Sequence, residues 1–341
     1  MANVGDILPH CDGTGIQTDP YIFTTEQGFI EAIEVSGAYV EAGESNLSFD
    51  ANNGVFKRLK IYCRNLEGKG LTVRNLLSNN ENTNLIETCS SGGSCTVYIN
   101  DVNFYNMCLI NNSASGTNDY KKFVRTNSAS GTGNSTKFYR CNFTGIVKGY
   151  LTGLFLSKSY NQFSYDTLHF IDCTFNVNLD VPKNTQISSS YNTVFGNDIC
   201  ANDDFRLINC TVCISGTTRQ DDSGRDVSLL YNVRIENTVL TNSPTNPLIS
   251  TTSTNYGNYY LRLKSGSTYS YCKLYIQRPN YPSGSYLVVS NASQLLCNVT
   301  RTGSVSGTAI LMQEDTPSAD DYIYNATNLA NKGFLVGQVI E

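Results

Sequence analysis

Val102-Asn103-Phe104, Cys141-Asn142-Phe143, Cys173-Thr174-Phe175 and Cys210-Thr211-Val212 are four copies of one short pattern. Three more follow as Asn237-Thr238-Val239, Cys272-Lys273-Leu274 and Cys297-Asn298-Val299. In most copies a small or thiol residue leads, a polar residue follows and a large apolar residue closes the triplet. Five of the seven begin with cysteine, and the steps between copies are 39, 32, 37, 27, 35 and 25 residues. The motif is kept while the period is loose. Recurrence at roughly 20 to 50 residues marks solenoids and propellers, whose units cannot bury an apolar face alone. Within a triplet, residues i and i+2 share a face, which is the period of a strand. One strand per repeat, with loops of variable length between, predicts the coils of a parallel β-solenoid. A β-sandwich is the other all-β solution, but its strands have no reason to repeat a Cys-polar-Phe unit.

Composition agrees with this class. The 341-residue length suits one elongated solenoid as well as two ordinary domains. Charged residues make up 16%, below the roughly 25% of average soluble domains. Asn, Ser, Thr, Gly and Tyr take their place, Trp is absent and there are two His. A net charge of -5 with plentiful aromatic and β-branched residues excludes a disordered chain. Strand and turn formers outweigh helix formers, so the class is all-β, and no strand–helix alternation suggests a Rossmann or barrel enzyme. No basic stripe shows in the linear sequence, which argues against nucleic acid as a partner.

Met1-Ala2-Asn3-Val4-Gly5-Asp6 lacks the basic and apolar regions of a secretory signal, and no apolar run approaches ~18 residues. The expectation is synthesis in a reducing cytoplasm without a signal peptide, no membrane insertion, and twelve cysteines held as free thiols. Along the chain, residues 1–44 read as a loop and a capping helix, 45–300 as the solenoid, and 301–341 as a C-terminal tail and cap. The helix is Thr25 to Glu34, with Thr24 or Thr25 as cap and Phe29, Ile30 and Ile33 as its apolar stripe. Laid over an open solenoid end, it hides apolar side chains and unpaired strand edges. Ala326 to Asn331 reads as a short helix and Gly333 to Gly337 as a terminal strand.

The leading cysteines are expected inside, stacked coil upon coil as small apolar fillers, since free Cys is among the most buried residue types. Cys210 and Cys213 form a CxxC, but three residues apart on a strand they face opposite ways and cannot share a metal ion. His10-Cys11-Asp12 is isolated, so neither a metal nor a cofactor is expected. Cys89 and Cys95 flank a Ser/Gly loop and read either as two free thiols or as a disulfide. Asp198, Asp203, Asp204, Asp221, Asp222 and Asp226 lie in loops either side of the Cys210 strand. They are the catalytic candidates, because glycoside hydrolysis needs two facing carboxylates; Asp also serves ordinary turns of this kind. Tyrosines including Tyr191, Tyr256, Tyr259, Tyr260, Tyr269, Tyr271, Tyr281 and Tyr286 suit strands, sugar stacking or an interface.

Thr24 to Ile33 followed by Gly37-Ala38-Tyr39-Val40, with the Cys/Val-polar-Phe coils after it, resembles the pectate-lyase-like right-handed β-helix proteins. Within that superfamily the chain looks most like phage virion proteins of the tailspike type. The resemblance implies a right-handed, single-stranded parallel β-helix with a short N-terminal capping helix. It also implies a virion location and a structural or adhesive role in host-surface binding or particle assembly. The expected partners are copies of itself (a trimer being one form), other virion proteins and a cell-surface glycan. The alternative is a polysaccharide-degrading glycoside hydrolase or lyase working in a groove of the solenoid. The resemblance carries no catalytic motif onto these positions, and the reading adopted is a protein that binds or builds.

Overall fold

In the computed structural model, residues 2–78, 84–89, 95–111, 122–127, 133–149, 154–158, 167–180, 193–197 and 204–217 are described, together with short strands between 228 and 340. Side chains are described as far as 215, apart from those of 111, 127, 149, 156–158, 193, 196, 197 and 204. The chain is predominantly β, with one α-helix among the described residues.

Its strands pair in parallel, each with the strand one repeat further on, in three ladders. The first runs through Tyr21–Phe23, Tyr39–Ala42, residues 65–67 and 96–100, Ser135–Tyr139, Thr167–Ile171, Asp204–Ile208 and Arg234–Glu236. The second runs through Ser48–Asp50, residues 71–74 and 102–111, Asn142–Gly149, Thr174–Asp180, Thr211–Thr217 and Val239–Asn242. The third joins Leu59–Ile61, Ile86–Thr88, Val124–Asn127, Phe155–Lys158, Thr193–Asn197 and Ser228–Tyr231. A repeat therefore carries three strands and not one. The triplet marks only the second ladder. The first ladder was hidden because its strands run straight into the triplets, with a single residue between.

That residue makes the corner. Asp101, Arg140, Asp172 and Asn209 each precede a triplet and have φ of 53°, 51°, 55° and 53°. Asp and Asn tolerate this left-handed conformation through their short polar side chains. The earlier corner is wider. Gly68, Lys69 and Gly70 fill it, and a Cβ on Gly68 would come within 2.6 Å of the Asp101 carbonyl oxygen.

The core is a set of phenylalanine stacks. Phe104, Phe143 and Phe175 lie face to face at 5.1 and 5.0 Å, Phe138 on Phe170 at 5.0 Å, and Phe155 on Phe195 at 4.9 Å. Rings from the three ladders meet edge to face, as Phe143 does with Phe155 and Phe170. In-register pairing forces this arrangement, because identical positions on successive strands superpose. Cys141, Cys173 and Cys210 are buried, while Asn142, Thr174 and Thr211 are exposed, as the triplet reading requires.

At the start, the α-helix Glu26–Ile33 is capped by Thr25, whose hydroxyl accepts from Gly28 N–H at 3.2 Å. Phe29, Ala32 and Ile33 are buried and Ile30 half-buried. The Phe29 ring meets Phe23, Phe49 and Phe56, so the helix closes over the first aromatic layer. Parallel pairing begins at Tyr21, ahead of the helix, in a segment whose sequence reads as loop.

The far end departs from the repeat. Val212 pairs with Leu240, so the ladder is one residue out of step with the Asn237 triplet. Cys272 lies on Thr268–Ile276, which pairs antiparallel with Gly257–Ser265; this triplet does not join the parallel stack. A strand hairpin replaces the next coil there. Cys297, Asn298 and the segments 326–331 and 333–337 lie outside the described residues.

Candidate binding face

Register gathers side chains that sequence spacing keeps apart. Along the first ladder Tyr98 lies opposite Lys137, Lys137 opposite His169, and His169 opposite Arg206. Arg206 lies opposite Arg234, and Arg234 opposite Tyr260. Phe138, Phe170 and Leu207, next in sequence to three of these, are fully buried, so alternation puts Lys137, His169 and Arg206 on the outer face. With about 4.8 Å per rung, Tyr98 to Tyr260 spans about 24 Å. Lys137 and Arg206 are half-buried and His169 is only 8% exposed, so the column is sunk into the surface. His169 and Arg206 also engage neighbours within the chain. At one end the Arg64 guanidinium sits 5.8 Å from the centre of the Tyr98 ring, and Tyr139 lies 6.4 Å away.

Sequence reading found no basic cluster, because Lys137, His169, Arg206 and Arg234 stand 28 to 37 positions apart. A signal was present all the same. Tyr98, Lys137, His169 and Arg206 each stand four residues before the leading residue of a triplet. Of the nominated acids, only Asp204 falls among described residues, as the first residue of its strand, opposite Thr167. Asp198, Asp203, Asp221, Asp222 and Asp226 lie outside the described residues, and so do the side chains of the tyrosines from 256 to 286.

The corners form a second column of opposite character: Lys69, Asp101, Arg140, Asp172 and Asn209 alternate in sign until the last. Arg140 holds Asp101 with two hydrogen bonds of 2.7 and 2.8 Å, and Asn209 donates to Asp172 at 3.1 Å. Lys69 pairs with Glu41. Glu67 joins this cluster. Burial, then a hydrogen bond to Asp101, raises its pKa, while the Arg140 guanidinium holds the Asp101 carboxyl below the usual range. Two carboxyls in direct hydrogen bond are too close to flank a glycosidic bond, which takes a separation of about 5 to 9 Å. Glu67 and Asp101 are a joint between rungs.

The thiols also have structural work. Cys141, Cys173 and Cys210 each donate to the carbonyl two residues back, at 3.3 Å, and to a carbonyl of the previous rung, at 3.3 to 3.5 Å. Burial pushes the Cys173 and Cys210 thiols up. Cys213 is half-buried on the opposite face from Cys210, so this CxxC does not converge. Cys89 and Cys95 form a disulfide, which overturns the expectation of twelve free thiols. Their Cα atoms lie 5.7 Å apart across a short loop, within bonding reach. In the isolated N-terminal trio, His10 pairs with Glu31 at 2.8 Å and Cys11 donates to the Gly28 carbonyl at 3.1 Å.

No family model, curated protein or solved structure matches this chain.

Proposed function

We propose that this protein is a rigid β-helical rod serving as a structural or adhesive component of a phage virion, of the tailspike type. The observation that carries the reading is the in-register stacking of three parallel ladders about a continuous phenylalanine core, closed at one end by a helix. Such a stack resists bending, because each rung is fixed to its neighbours by backbone hydrogen bonds and ring contacts at once. The winding is right-handed in this reading, the hand of ~98% of parallel strand crossovers. Smooth outer columns of Asn and Thr, as at Asn103, Asn142, Thr174 and Thr211, suit contact with a surface glycan or with further copies of the chain. Self-association in closed symmetry, a trimer for instance, protects such faces from uncontrolled sticking.

Mass spectrometry of purified phage particles tests the role. The protein is expected among the virion components, and its absence from particles rejects the reading. Host capsular polysaccharide incubated with the protein is expected to keep its chain length. Shortening that Asp204→Asn abolishes would replace the adhesive role with hydrolase or lyase activity.

A further inference from the structure

We propose that Cys89 and Cys95 form a redox latch, open as two thiols in a reducing compartment and closed as a disulfide once the chain leaves it. The virion reading sets where the oxidant is met; the chemistry of the pair goes beyond that reading. The bond lies at the junction between the third ladder, ending at Thr88, and the first, resuming at Thr96. Elsewhere the fold closes the same junction without a sulfur bond. One coil earlier Tyr62, Cys63 and Arg64 carry the chain from Ile61 to Asn65, and Cys63 is a free thiol. One coil later the seven residues 128–134 lead from Asn127 to Ser135, as the seven residues 89–95 do here, with no cysteine among them. Cys95 and Asn134 hold equivalent places, since the carbonyl of each accepts from the first strand residue of the next coil, Ser135 and Thr167. The disulfide is therefore an addition to the coil and not a condition of it.

Cys89 occupies a left-handed backbone position, φ 67°, which Gly, Asn and Asp enter more readily than cysteine. Its sulfur accounts for its place, because its Cα lies 5.7 Å from that of Cys95, within bonding reach. The bond ties three rungs together. Cys89 N–H donates to the Ile61 carbonyl on one side, and Cys95 N–H donates to Asn134 Oδ1 at 3.0 Å on the other. The core thiols behave otherwise. Cys141, Cys173 and Cys210 stand on successive rungs about 4.8 Å apart, also within reach, yet each stays a thiol that donates to two carbonyls. They are sealed from solvent, whereas Cys95 is half-buried beside a fully buried Cys89. Exposure gives the order of exchange with a small disulfide such as oxidised glutathione. The Cys95 thiolate attacks one glutathione sulfur, forming a mixed disulfide and releasing the first glutathione thiolate. The Cys89 thiolate then attacks the Cys95 sulfur and expels the second. Two protein thiols are oxidised and one glutathione disulfide is reduced, the two protons lost by the cysteines passing to the two glutathione thiolates.

The test equilibrates the full chain with reduced and oxidised glutathione at graded ratios, then alkylates it and maps the thiols by mass spectrometry. One bond, Cys89–Cys95, is expected to form across the series, with Cys141, Cys173 and Cys210 remaining thiols throughout. Far-UV circular dichroism should match at the two ends, because the ladders do not depend on the bond. Closing the seven-residue loop should raise the folded-to-unfolded ratio by about fiftyfold, read from denaturant midpoints. Hydrogen exchange at the Cys95 and Ser135 amides should quicken on reduction. Cys89→Ser should trap a mixed disulfide on Cys95, and Cys95→Ser should trap none on Cys89; the wild-type titration needs neither variant to fold. Loss of strand signal on reduction would make the bond structural and overturn the latch. A pair that stays oxidised in excess reduced glutathione, or reduced in excess oxidised glutathione, also overturns it, as do adducts on Cys89 alone. Absence of the protein from phage particles would reject the virion role and leave this exchange standing, while failure of the exchange leaves the rod intact.

Discussion

Phe175 is in contact with the rings of Phe143, Phe155, Phe170 and Phe195 in the core. Truncation to Ala loses the transfer energy and leaves a cavity that rigid neighbouring rungs cannot collapse into. Phe175→Ala is therefore expected to destabilise by about 3 to 5 kcal/mol, read from urea unfolding. The thiols offer a second check. Cys108 and Cys213 are half-buried, whereas Cys141, Cys173 and Cys210 are sealed inside. Because the thiolate is the reactive form, native alkylation at mild alkaline pH should label Cys108 and Cys213 well before the sealed three; equal labelling would show that the core opens. Glu67 gives a pH signature. Its raised pKa contributes stability below the ordinary glutamate range, and this contribution is lost as pH rises through the folded value. Asp101, held down by Arg140, contributes stability that is lost only as pH falls through its own depressed value. Glu67→Gln keeps a donor facing Asp101 at every pH, so its denaturant midpoint relative to wild type should climb from pH 4 to pH 8. A flat difference would refute the shared proton. The inward Cys and Phe of the triplets were legible in sequence because alternation alone fixes their face. The Glu67–Asp101–Arg140 joint was not, since its members are brought together only by pairing register.

Among elements, the helix Glu26–Ile33 was the clearest in the sequence, its cap, acidic first turn and apolar stripe all agreeing. Thr25→Ala removes the side-chain acceptor for Gly28 N–H and should cost about 1 kcal/mol. If the helix closes the stack, as its Phe29 contacts indicate, Phe29→Ala should also increase binding of a hydrophobic dye; no increase would mean that the helix covers nothing. The corners were the least legible elements. A strand running Lys137 to Phe143 looks continuous because Arg140 is no turn former, and its left-handed conformation is held by the bidentate contact to Asp101. The strand hairpin at 257–276 misled for the opposite reason. Its Cys272-Lys273-Leu274 has the triplet's pattern, but alternation of this kind serves antiparallel and parallel strands equally well.

For the molecule as a whole, light scattering is expected to report a closed oligomer, and a monomer at micromolar concentration would count against the self-associating rod. One further consequence lies in the corner geometry. Loops between ladders vary in length from repeat to repeat, yet the spacing from column residue to triplet never departs from four residues between Tyr98 and Cys210. The repeat therefore behaves as a ruler whose graduations are independent of what hangs between them. An in-frame duplication of 141–172 would lengthen the protein by one graduation, about 4.8 Å, and add one more ring to the Phe143 stack. It would also insert a second imidazole into the first ladder beside His169, so the length of the stack and the make-up of its rows would be set together by one count.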